Sequence, residues 1–96
     1  MNIEVVGRDV EIAIDARDRL EKKLEKLLGR RNREIPVRVL VSQGKAAIVT
    51  QITMSMFGKD VVAQAENANI IASFDEAIDK VERQVNKIYD KQNERR

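Results

Sequence analysis

The sequence predicts an α+β domain with elements in the order β-α-β-β-β-α, a four-stranded sheet carrying two helices on one face. Three observations predict it. Apolar and polar residues alternate after Pro36 and again from Ile48 to Met56, the period of a half-buried strand. Apolar residues step by three and four from Ile71 to Ile88, the period of a helix. Gly7, Gly29, Gly44 and Gly58 fall where these patterns break, as turn and cap glycines do.

The elements follow in order. Ile3, Val5 and Val6 form a short strand ending near Gly7. From about Asp15 to Leu28, Ala16, Leu20, Leu24 and Leu27 recur at helical spacing, with Asp15 as the expected N-cap and Gly29 as the stop. Ile35, Val37, Val39 and Val41 then alternate with Pro36, Arg38, Leu40 and Ser42, and Pro36 marks a strand end or edge. Gln43-Gly44-Lys45 is a turn. Ile48, Thr50, Ile52, Met54 and Met56 share one side of the next strand. After the turn Phe57-Gly58-Lys59-Asp60, Val61, Ala63 and Ala65 carry a strand to about Glu66. Asn69 then stands at the N-cap of a long helix lined by Ile71, Phe74, Ile78, Val81, Val85 and Ile88, with fraying expected over about 92–96. A strand, a helix and a second strand make a parallel unit, and the later strands follow as hairpins. Residues 1–96 read as one domain.

Composition narrows the function. With 43% hydrophobic and 35% charged residues the chain reads as a soluble globular protein rather than a disordered one. It has no cysteine and no histidine, which removes disulfides, thiolate chemistry, zinc sites and every histidine-based catalytic arrangement. The carboxylates form no inward-facing pair suited to acid–base work, and no phosphate-binding glycine loop is present. No enzyme, metal, cofactor or small-molecule substrate is expected. The first residues, MNIEVVGRD, include acidic groups and no apolar core, so no signal peptide is expected. No apolar run approaches the roughly 20 residues of a membrane span, so a cytoplasmic protein without a membrane partner is expected.

Charge is placed rather than spread. The net charge is only +2, yet residues 17–33 hold eight cations against three carboxylates and residues 80–96 hold six against three. Arg19, Lys22, Lys26 and Arg30 repeat on the first helix at steps of three and four, with Arg17 before them and Lys23 near the apolar edge. At roughly 100° per residue, Lys80, Arg83, Lys87 and Lys91 fall within about 80° of arc on the second helix. Two helices side by side would then present two basic ridges, a surface suited to a phosphate backbone. Helix surfaces are ordinarily charged, so a plain solvated face stands beside a binding face as a reading of the same pattern. Phe57 and Tyr89 could stack on bases, although such aromatics are more often packing residues.

The motifs carry a resemblance. The run IEVVGRDVEI followed by a basic helix, and the helix NIIASFDEAIDKVERQVNK, resemble the ribosome hibernation promoting factor and protein Y family of ribosome-associated translation inhibitors. Asp79, Lys80, Val81, Glu82, Arg83, Gln84, Val85 and Lys87 match the family core D-K-L-E-R-Q-[IL]-x-K, with valine for leucine. Asn69 stands for a frequent aspartate, Ile71 for a frequent tyrosine and Ala13 for a capping threonine, and the segment around Pro36 and Gly44 is shorter than typical. The resemblance implies a fold similar to double-stranded-RNA-binding domains, in a short form without a second domain. It implies a non-enzymatic factor bound to the small ribosomal subunit, contacting 16S rRNA and neighbouring ribosomal proteins. There it would fill the mRNA and tRNA channel near the A and P sites under stress or in stationary phase. Arg17, Arg19, Lys22, Lys23, Lys26, Arg30, Lys80, Arg83, Lys87 and Lys91 would contact rRNA phosphates, which position without reading sequence.

Two other functions fit less well. A general double-stranded-RNA-binding module is ordinarily α-β-β-β-α, without the first strand read here. An acidic-protein-binding module would need a stickier sheet face than Arg38, Gln51, Thr53, Ser55 and Gln64 offer.

Overall fold

A computed structural model describes residues 2–29 and 34–94. The elements are β1 (Ile3–Arg8), α1 (Ile14–Leu28), β2 (Val37–Gln43), β3 (Ile48–Met56), β4 (Lys59–Asn67) and α2 (Ile70–Glu94). This is the expected order. The strands form one sheet in the spatial order β1-β2-β3-β4. β1 pairs parallel to β2, with Val5 opposite Val39, and the remaining pairs are antiparallel.

Alternation along the strands sets the register of the core. Val37, Val39 and Val41 of β2, Ile52, Met54 and Met56 of β3, and Val61, Ala63 and Ala65 of β4 are all buried. A slip of one residue would turn each set to solvent, so burial of one face specifies the pairing. α2 covers this face over β3 and β4 with Phe74, Ala77, Ile78, Val81 and Val85. α1 packs beside α2 and adds Ala16, Leu20, Leu24 and Leu28 to the same core. Leu28, not Leu27, completes the buried stripe of α1. Leu27 is only partly buried, because a turn of 3.6 residues carries the stripe from Leu20 through Leu24 to Leu28.

Among the described residues two polar side chains lie inside this apolar layer, and both are satisfied. Thr50 occupies an inward position of β3, and its Oγ1 is 2.8 Å from Ser73 Oγ on α2. Ser73 Oγ also lies 3.2 Å from the carbonyl oxygens of Ile48 and Ala65. The hydroxyl pair thus ties the first turns of α2 to both strands beneath it, at a site where an unpaired group would be costly.

The caps differ from one another. Asn69 Oδ1 accepts the backbone N–H groups of Ile71 and Ala72 at 2.9 and 3.1 Å, which is the expected N-cap of α2. At α1 the expectation is corrected: Ala13 is the N-cap and supplies no side-chain hydrogen bond. Asp15 lies inside the first turn, where its charge favours the positive end of the helix dipole without capping it. Phe57 and Gly58 form the β3–β4 turn with φ of 51° and 74°, so Lys59 and Asp60 already belong to the strand. Two successive positive φ values suit a two-residue hairpin, and glycine takes the second at no steric cost. α2 is helical through Glu94, and 95–96 lie outside the described residues.

Candidate nucleic-acid interface

Arg19, Lys22, Lys23 and Lys26 of α1 lie within about 100° of arc on one flank of that helix, and Arg17 lies at least about 120° around the helix from them. Arg17, Arg19, Lys22 and Lys26 are exposed and Lys23 is half-buried. Arg30 lies outside the described residues. Two of these cations are already engaged: Lys23 Nζ donates to Asp75 Oδ1 at 2.8 Å and Arg19 Nη2 donates to Asp75 Oδ2 at 3.3 Å. Asp75 belongs to α2, so the pair links the two helices across their seam. Burial works against ionisation of Asp75, but hydrogen bonds from Lys23 and Arg19, with their charges, outweigh it and hold the carboxyl below its ordinary value.

A carboxyl held low in the folded state stabilises the fold above its unfolded value and loses that contribution as the pH falls through the folded one. The three side chains are 34–49% exposed, so solvent screening limits the link to about 1 kcal/mol or less. Asp75→Asn is therefore expected to lower stability by up to about 1 kcal/mol at neutral pH. The difference from wild type should close as the pH drops below about 4, the ordinary aspartate range. Urea unfolding of both proteins at neutral and acidic pH measures it, and a gap that is constant with pH would contradict the assignment.

The basic residues of α2 take the other side. Lys80, Arg83, Lys87 and Lys91 are all exposed. Lys80 Nζ donates to the carbonyl of Gln64 at 2.6 Å, and Gln84 Nε2 donates to the carbonyl of Val62 at 2.8 Å. Both carbonyls belong to β4, an edge strand of the sheet. Lys80 thus caps a sheet edge, and Gln84, which charge patterning does not single out, does the same. At about 100° per residue, Asp75 lies roughly 140° around α2 from Lys80. The seam between the helices is therefore acidic on its α2 side, and the basic ridge of α2 runs along the outer β4 flank. The two ridges are not one continuous strip: Asp75 divides them and neutralises part of the first.

Six of the expected contacts, Arg17, Lys22 and Lys26 on α1 with Arg83, Lys87 and Lys91 on α2, form no ion pair or hydrogen bond among the described residues. They are available to a polyanion without breaking anything internal. Phe57 and Tyr89 stack edge to face, with centroids 5.7 Å apart and planes at 78°, which fastens the β3–β4 turn to the last turns of α2. Among the described residues no group of three or more acidic, histidine or cysteine side chains could hold a metal ion, and no helix is long and apolar enough to cross a membrane.

Comparison with known proteins gives the family of this chain. The family model described as sigma 54 modulation protein / S30EA ribosomal protein matches residues 3–93. The chain belongs to this family. A ribosome hibernation promoting factor of Azotobacter vinelandii is 30% identical over 95 residues, covering 99% of this chain and 89% of that protein. One of Pseudomonas putida is 29% identical over 92 residues, covering 96% of this chain and 90% of the relative. Among solved structures, a ribosomal subunit interface protein from Coxiella burnetii superposes with a TM-score of 0.83 at 27% identity, covering 93% of this chain and 98% of that one. The N-terminal domain of Thermus thermophilus protein Y gives 0.79 at 32% identity, covering 92% and 99%. The family resemblance carried by the last helix is borne out, and with it membership among the ribosome hibernation promoting factors, ribosome-associated proteins.

Proposed function

We propose that this chain is a hibernation factor whose ribosome-binding domain sits on the small ribosomal subunit in the mRNA and tRNA channel near the A and P sites. By filling that channel it blocks translation under stress or in stationary phase, without catalysis, in the cytoplasm. The observation that carries this reading is the set of six outward cations without a partner among the described residues, in a member of this family. They would contact phosphates of 16S rRNA, and neighbouring ribosomal proteins would complete the site. Arg19, Lys23 and Lys80 join only secondarily, since each already serves a contact that holds the fold. Arg30 belongs to the same proposed set.

Co-sedimentation with purified small subunits tests it. With about five phosphate contacts, affinity should fall on the order of a hundredfold between about 50 and 200 mM salt. Bound mRNA and tRNA should displace the protein, whereas a free RNA duplex should compete poorly. No binding at low salt would overturn the reading, and equal affinity for free duplex would turn it to a general double-stranded-RNA-binding module.

A further inference from the structure

The two edges of the sheet are treated differently. On β4, Lys80 and Gln84 donate to outward carbonyls of Gln64 and Val62. Among the described residues β1 has β2 on one side and no strand on the other. Its hydrogen-bonding parity follows from its partner. Val37 N–H donates to the carbonyl of Asn2, and Val37 lies opposite Ile3. In a parallel pair the bonds then continue through the even residues of β1, so Ile3, Val5 and Gly7 direct their N–H and C=O groups to the outer edge. Among the described residues no other backbone group bonds there. An open edge of this kind is a template for another strand.

We infer that β1 is the interface for a second copy of this chain, joined antiparallel and edge to edge about a two-fold axis at Val6. The side chains of β1 are self-complementary in that register. Glu4 lies opposite Arg8 of the other copy, Arg8 opposite Glu4, and Val6 opposite Val6. Val5 and Gly7, whose backbone groups both point outward, fall opposite one another and exchange their hydrogen bonds. Charge and backbone parity thus select the same alignment. Glu4 already receives Arg38 of its own chain at 3.2 Å, so each end of the joint becomes a row of Arg38, Glu4 and the second copy's Arg8. Val6 is 37% exposed and closes against its twin at the centre. The capped β4 edges end the assembly at two copies, which is the closed symmetry expected of an isologous contact. Both helix layers then lie on one side of an extended sheet. The inference is independent of the ribosome reading.

Sedimentation equilibrium of the full chain across a concentration series is the test. Wild type should associate to a dimer and no further. Glu4→Arg and Arg8→Glu each place like charges opposite one another, and each alone should weaken association by about tenfold or more. An equimolar mixture of the two variants restores opposite charges across both ends of the joint and should recover the dimer as a mixed pair. Circular dichroism checks that both variants fold. A wild-type monomer up to about 1 mM, the weak end of specific association, would overturn the inference. So would a dimer that both variants retain, or a mixture that fails to recover it.

Discussion

Replacing Arg83, Lys87 and Lys91 together by glutamate is expected to reduce affinity for the small ribosomal subunit by about 100-fold to 1,000-fold. The three side chains are exposed on one flank of α2 and have no partner among the described residues, so the change costs the fold little. Lys80 is left in place because its ammonium caps β4, and its loss would mix an effect on the edge strand with one on binding. Each cation that meets a phosphate releases about one counterion, so the slope of log affinity against log salt should also drop by about three. The slope separates two causes. Loss of fold lowers binding at every salt concentration, whereas loss of phosphate contacts lowers it most at low salt. Unchanged co-sedimentation by a folded triple variant would show that α2 does not face the RNA.

The largest effect on stability is expected from Phe74→Ala. Phe74 is 1% exposed and is the largest fully buried side chain of the core. It enters the core one turn after the Asn69 cap, where α2 first meets the sheet. Removing a buried ring loses its transfer free energy and leaves a cavity that close-packed neighbours fill only in part, about 3–5 kcal/mol in all. That is a large share of the roughly 5–15 kcal/mol by which a small domain is stable. Urea unfolding should show a lower midpoint with an unchanged slope. Phe57→Ala is the control: its ring is 55% exposed and contributes mainly the edge contact to Tyr89, so the expected loss is about 1 kcal/mol. Equal losses at the two positions would contradict the packing described.

Most of the fold was legible because it rests on short-range periodicity. The inward residues of β2, β3 and β4 alternate along the chain, and the apolar stripe of α2 repeats without interruption, so each element carries its own address. Asn69 was legible for the same reason, since a cap acts within three residues. The start of α1 was less so. Asp15 has the right chemistry for a cap, but the chain turns into the helix two residues earlier, after an alanine that offers no side-chain bond. The Thr50–Ser73 pair left no signal either, because a hydroxyl at an inward position reads as an ordinary polar residue until its partner is seen across the layer.

The family, the strand order and the inventory of cations were therefore determined by the sequence alone. Only the tertiary structure decided which of those cations are free. Asp75 meets Lys23 and Arg19 across 52 and 56 residues of chain, and Lys80 reaches Gln64 on a strand 16 residues away. A helical wheel places charges around their own axis and says nothing of what the neighbouring element brings to the seam. Charge neutralisation depends on separations of a few ångström between elements, and those distances are set by packing of the core rather than by local spacing.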